Sequence, residues 1–216
     1  MQPDPVLRSY TDNRYRPLEE ELLFRPLSRP IARLLASTPV TPTMLNFAGC
    51  AAAIAAAFCL ASGASGILPA LAVYVAFLID KVDGDLARAK GIASGKGQYT
   101  DGFLDLIGEA SLTIGAACAL GYVHPVLLGA AVAAPLLFYY HGVAVPFYLR
   151  RVSPVHRAPK GADGWRTLFR YGRAKHFLLF AILALISRLD LIFVIVPLLA
   201  VYTFALFMRN VLREEA

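Results

Sequence analysis

Six apolar stretches take up most of the chain after residue 43, and the second runs directly into a charged segment, DKVDGDLARAKGIASGKGQYTDGFLD, at residues 80–105. That junction is what most constrains the fold. The stretches are Met44–Gly63, Gly66–Ile79, Leu106–Tyr122, Val126–Leu149, Phe177–Ile186 and Leu191–Met208. A helix needs about 20 residues to cross roughly 30 Å of hydrocarbon. The second and fifth stretches therefore need flanking residues to complete a crossing. With 57% hydrophobic residues in 216, the composition excludes an ordinary soluble domain and predicts an all-α integral membrane protein with six transmembrane helices.

Six crossings put both termini on one side. All of the 21 Lys and Arg residues except Arg188 then lie in segments that face that side, which the positive-inside rule assigns to the cytoplasm. The expectation is a multi-pass protein of the cell (inner) membrane, with both termini and the 80–105 loop cytoplasmic. Topology accounts for the net charge of +6, so no nucleic-acid partner is needed. Charges and prolines fill the first forty residues where an apolar leader core would stand, so no cleavable signal peptide is expected.

Residues 1–41 read as a juxtamembrane segment and 42–216 as the six-helix core, together one domain over 1–216. Leu18–Ala36 sets Arg25, Arg29 and Arg33 about half a turn from Leu23, Leu27 and Ile31. This predicts a cytoplasmic amphipathic helix on the inner leaflet, its arginines at lipid phosphates. Pro26 and Pro30 count against that helix, since an interior proline costs about 3 kcal/mol, and a broken, partly helical collar is the alternative. Thr41 and Pro42 suit an N-cap and first turn. Cys50, Cys59 and Cys118 all fall in apolar runs and read as packing residues.

The charged segment places Asp80 and Asp83 at i, i+3, and Gly97, Asp101 and Asp105 at successive i, i+4 steps. Each carboxylate pair therefore shares one helix face. Gly66–Ile79 supplies only about 21 Å of helix, so the span is expected to continue through Asp80 to near Arg88. An aspartate at a bilayer centre costs roughly 2.5–3.5 kcal/mol, which demands compensation. Ion pairs with Lys81, Arg88, Lys90 and Lys96 are one solution. One or two divalent cations between the facing pairs are another, and an all-oxygen donor set suits Mg²⁺ or Mn²⁺. The ions could serve catalysis or line a transport path; a path predicts acids spread through the membrane depth, whereas these cluster at its inner end. Gly84 and Gly97 leave backbone open to a bulky ligand. Asp85, four residues after Lys81, reads as its solvated ion-pair partner, and Glu109 as either a partner of the motif acids or a hydrogen-bonded packing residue.

The pattern Asp80-x2-Asp83-Gly84-x2-Ala87-Arg88-x8-Gly97-x3-Asp101-x3-Asp105 resembles, without departure, the signature of the CDP-alcohol phosphotransferases, also called CDP-alcohol phosphatidyltransferases. The resemblance implies a membrane transferase of phospholipid biosynthesis. It would move a substituted phosphate from a CDP-alcohol, CDP-diacylglycerol by expectation, to an acceptor hydroxyl and release CMP. A soluble nucleotide-activated polyol phosphate is the alternative donor. By position, Asp80, Asp83, Asp101 and Asp105 would hold two Mg²⁺ or Mn²⁺ ions. Asp105 would be the general base, and Gly84, Ala87, Arg88 and Gly97 would form the CDP site. A homodimer is expected on the same ground, and the alanine-rich first span permits it.

On the acceptor side, Arg150–His176 carries Arg150, Arg151, Arg157, Lys160, Arg166, Arg170, Arg173, Lys175, His156 and His176 against one acid, Asp163. Such a patch could anchor the inner leaflet or bind a phosphorylated acceptor such as inositol phosphate or glycerol phosphate. Arg173, Lys175 and His176 are the acceptor candidates, because they open the fifth span. His141 and Tyr139–Tyr140 read as interior helix contacts.

Overall fold

The computed structural model describes residues 17–121, 123–140 and 169–214, and every regular element among them is helical. In chain order these are α1 (Arg25–Ala36), entered through a π-helical turn at Glu20–Phe24, then α2 (Pro42–Ala61), α3 (Ile67–Ala89), α4 (Gly95–Leu120), α5 (Pro125–Tyr139), α6 (Arg173–Leu185) and α7 (Ile192–Glu214). Among the described residues, three stretches are long and apolar enough to cross a bilayer: Pro42–Ala61, Gly97–Leu120 and Leu189–Leu206. Pro125–Tyr139 is a shorter apolar helix. The far end of the expected Val126–Leu149 stretch, His141, and the basic run from Arg150 through Arg166 with His156 and Asp163 lie outside the described residues.

The helix of the short second stretch continues past Ile79, as expected. α3 has 23 residues, about 35 Å of helix, and runs through Asp80 and Asp83 to Ala89. The fifth begins at Arg173, four residues before its apolar core. Burial is inverted relative to a soluble protein. Phe58, Ile67, Leu68, Leu198 and Val201 are exposed, whereas Asp80, Lys81, Asp83, Glu109 and His176 are buried. Hydrocarbon tolerates such an exterior and water does not; the molecule is a membrane protein.

Capping chemistry sets where the site helices stop and start. Thr41 Oγ1 accepts from the Met44 amide at 3.2 Å and Pro42 follows at the first helical position, as the sequence predicts. α3 ends in a Schellman motif: Gly91 N–H donates to Arg88 O at 3.1 Å and Ile92 N–H to Ala87 O at 3.0 Å, with Gly91 at φ +67°. Only glycine adopts that conformation without strain. Ser94 then caps α4, its Oγ accepting from the Gly97 amide at 3.1 Å. Lys90 Nζ, rather than reaching the acids, donates to Thr38 O and Val40 O at 2.7 Å each.

α2 is the keel. Both α3 and α4 pack along it, while they touch each other little. The small residues of α2 make this possible, since Gly49 lies against the backbone of Asp80. A Cβ on Gly108 would sit 3.0 Å from the Ala53 side chain, and one on Gly115 would run into the Ala57 backbone. Ala53, Ala56 and Ala57 of the alanine-rich span are buried in this packing, while Ala48, Ala51 and Ala55 stay exposed. α1 packs on the outer side of α3 through Phe24, Ser28 and Ala32. Leu23, Leu27, Ile31 and Leu34 remain exposed. The helix is continuous through Pro30, with irregularity confined to the π turn. The arginine stripe is not wholly outward, because Arg25 turns in to Asp85 and Arg29 pairs with Glu21.

The Gly115 contact predicts an asymmetry. Gly115→Ala is expected to lower stability by roughly 1–3 kcal/mol, as overpacking against backbone does. Gly108→Ala, which meets a side chain, should cost less. Thermal unfolding of both variants in detergent measures the difference; equal melting temperatures would contradict the packing.

Candidate active site

The gap left between α3 and α4 is where the motif acids meet. Asp80 and Asp83 approach from α3, Asp101 and Asp105 from α4. One carboxylate oxygen each from Asp80, Asp101 and Asp105 lie within 4.8 Å of one another. Asp83 joins the group beside Asp101, and Asp80 lies beside Asp105. Two carboxylates at that range repel unless a proton or a cation lies between them. Asp101 Oδ1 is buried without a hydrogen-bond partner, and so is Asp80 Oδ2, although the latter lies 3.0 Å from Lys81 Nζ in poor hydrogen-bond geometry. Orphaned, convergent, all-oxygen donors are the donor set a hard divalent cation takes.

A protein cation already serves this cluster. Arg173, first residue of α6, donates from Nη2 to Asp80 Oδ1 at 2.6 Å and from Nε to Glu109 Oε1 at 3.1 Å, and its Nη1 pairs with Asp105. One planar guanidinium thereby ties three carboxylates from two helices to a third. Glu109 is buried at 2% exposure. Of its two sequence readings, the structure supports partner of the motif acids, through Arg173.

Below the acids, Phe77 stacks on Phe177 with ring centroids 4.7 Å apart and meets Phe24 edge-on at 4.7 Å. Lys81 Nζ lies 4.5 Å and Arg173 Cζ 5.7 Å from the centroid of the Phe77 ring. The negative face of that ring adds about 0.5–2 kcal/mol per cation. No pattern at the sequence level singled out Phe77, since one phenylalanine in an apolar helix carries no signal.

The outer face of α3 is wired to the N-terminal segment. Lys81 pairs with Glu20 at 2.8 Å. Arg25 reaches Asp85 Oδ1 at 2.7 Å and Glu20 at 3.5 Å. Burial alone would lower the Arg25 pKa, but the Glu20 and Asp85 carboxylates outweigh it and hold it raised. The expected Lys81–Asp85 pair does not form. Asp85 projects toward α1, where Ser28 Oγ donates to it at 2.5 Å, and Arg88 Nη2 donates at 2.7 Å from one turn along α3. Lys81 pairs with Asp80 and Glu20 instead.

The remaining predicted positions separate into two groups. Arg88 is largely exposed and lies over Gly84, with Nη2 and Nη1 at 3.5 and 3.6 Å from where a Gly84 Cβ would be. Ala87 is half-buried and Gly97 exposed at the start of α4. Among the acceptor candidates, only Arg173 lies against the carboxylates. Lys175 Nζ donates to Glu19 Oε1 at 2.5 Å. His176 is fully buried, its Nδ1 2.8 Å from the Tyr171 hydroxyl. The three cysteines are free thiols.

The family model for CDP-alcohol phosphatidyltransferase matches residues 38–208 of the chain, which contain every motif acid. No curated protein matches the chain significantly.

The Arg173 clamp predicts a metal-dependent stability. Arg173→Met leaves buried carboxylates without their cation and is expected to cost about 3 kcal/mol or more under chelator. Mn²⁺ should restore more of the melting temperature in this variant than it adds to the parent. Thermal unfolding with EDTA and with Mn²⁺ tests both statements; a variant that melts like the parent in EDTA would remove the clamp.

Proposed function

This chain belongs to the CDP-alcohol phosphatidyltransferase family, and on that premise we propose that it transfers a phosphatidyl group from CDP-diacylglycerol to a small phosphorylated acceptor, such as inositol phosphate or glycerol phosphate. The observation that carries this reading is the convergence of Asp80, Asp101 and Asp105 within 4.8 Å, beside an exposed Arg88 lying over Gly84. In the reaction, the acceptor hydroxyl oxygen attacks the lipid-linked phosphorus of the diphosphate. A new P–O bond forms, the P–O bond to CMP breaks, and the hydroxyl proton passes to a carboxylate.

Each residue then has a task. Arg88 binds the diphosphate, while Gly84, Ala87 and Gly97 leave room beside it for the cytidine moiety. Mg²⁺ or Mn²⁺, two ions held by Asp80, Asp83, Asp101 and Asp105, supplies charge neutralisation of the diphosphate and of departing CMP when bound. Asp105 takes the acceptor proton, and Arg173, paired to Asp105, keeps that carboxylate aimed and presents positive charge to an acceptor phosphate. Arg173 is retained as the acceptor-side cation, because Lys175 is engaged by Glu19 and His176 is enclosed in the core. In this reading α2 to α7 form six spans of the inner membrane, with α1 on its cytoplasmic surface, the site on that side, and the chain a homodimer.

Purified protein in detergent micelles tests the proposal. CMP release from CDP-diacylglycerol is expected with Mg²⁺ or Mn²⁺ and a phosphorylated acceptor, but not under EDTA. Release from a soluble CDP-polyol only would replace the lipid donor, and no release from any donor, acceptor and metal combination would overturn the reading. Asp105→Asn is expected to lose roughly 10²–10⁴-fold in kcat, the usual contribution of a general base. Full activity in that variant would remove the assignment.

A further inference from the structure

Asp85 lies among the signature residues without being one of them, and its surroundings are unusual for an acid next to a diphosphate site. Its side chain is only 10% exposed and accepts three hydrogen bonds: from Ser28 Oγ at 2.5 Å, Arg25 Nη1 at 2.7 Å and Arg88 Nη2 at 2.7 Å. Arg25 and Arg88 share the same oxygen, Oδ1, while Ser28 holds Oδ2. Ser28 is itself completely buried, on the face of α1 that packs against α3. An isolated carboxylate here would repel an incoming diphosphate. With two guanidiniums on it the group is net positive.

We propose that Asp85 is a positioning residue for Arg88, anchored by Ser28 and Arg25 of α1, so that the N-terminal helix sets the nucleotide affinity of the site. The inference rests on the reading of Arg88 as the diphosphate-binding residue. Arg88 keeps 47% of its side chain exposed, and its bond to Asp85 uses one of its five N–H donors. The rest of the guanidinium, lying over Gly84, is left to face a ligand. A free arginine side chain gives up rotamer entropy when it is fixed. The Asp85 bond fixes it beforehand, and a preorganised donor binds more tightly for that reason. Gly84 lies beside the same device: a Cβ there would touch the guanidinium at an ordinary 3.5–3.6 Å, so only a side chain longer than alanine's would compete with it for space.

The arrangement also explains why an N-terminal helix beginning before the family-matched region bears on the site. Arg25 and Ser28 lie outside residues 38–208, yet they orient a side chain three residues from Arg88. Arg25 is further linked to Glu20, Glu20 to Lys81, and Lys81 to Asp80. The N-terminal segment thus braces both the nucleotide end and the metal end of the α3 motif.

CDP is the probe, because every donor of this reaction class carries it. Its dissociation constant with Mg²⁺ is measured by calorimetry on the full chain in detergent, together with melting temperatures. Asp85→Asn is expected to weaken CDP binding roughly tenfold, the size of one charge-assisted hydrogen bond, and Arg88→Ala by at least as much. The double variant should bind no more weakly than Arg88→Ala alone, since Asp85 acts through Arg88. Ser28→Ala, which removes one hydroxyl, should show a smaller loss in the same direction and carries the test if Asp85→Asn does not fold. Parent-like CDP binding in Asp85→Asn or Ser28→Ala, or losses that add in the double variant, would overturn the positioning role while leaving the nucleotide reading intact. Parent-like binding in Arg88→Ala would overturn both.

Discussion

Four carboxylates facing one another in a membrane protein repel, and the rest of the structure is arranged around answering that repulsion. The spacing of the acids creates it, since α3 and α4 each present two of them to one gap. The answer is partly the Arg173 guanidinium, which reaches Asp80, Asp105 and Glu109 from a third helix. Lys81, over the Phe77 ring and paired to Glu20, answers from the opposite side. What these cations leave unsatisfied, Asp101 Oδ1 above all, is the capacity a divalent ion would fill.

That electrostatic arrangement requires α3 and α4 to stay apart, and packing provides it. Both helices lean on α2 rather than on each other. Gly49, Ala53 and Ala57 on α2, with Gly108 and Gly115 on α4, let backbones approach closely along that keel. The Schellman ending of α3 and the Ser94 cap of α4 close the gap at one end with a turn of five residues, 90–94. The site is thus a wedge between two helices that share a support.

Much of this was legible before any coordinates. Helix spacing alone paired Asp80 with Asp83 and Asp101 with Asp105, and length alone required α3 to run past Ile79. The Thr41 cap was readable because Ser, Thr and Pro have strong local preferences at helix starts. Asp85 was not. Its i, i+4 neighbour Lys81 offered a partner within the helix, and an exposed pair of that kind is worth only a few tenths of a kcal/mol, too little to hold either residue against stronger long-range alternatives. Ser28 and Arg25, more than fifty residues away, won that competition. The same holds for Lys175 and His176, which their position at a span entrance suggested for a ligand, and which tertiary contacts gave to Glu19 and Tyr171.

The sequence by itself determined the helical, membrane-embedded character of the chain, the spacing of the acids on their faces and the family signature. Hydropathy, periodicity and fixed covalent spacing are local properties, and the helix preserves them. Tertiary structure alone decided which cation meets which acid. A long charged side chain can reach in many directions from its Cα, and only the packing of α1, α3, α4 and α6 around α2 selects one. Arg173 became the clamp of the acid cluster, and Asp85 the tether of Arg88, by that selection.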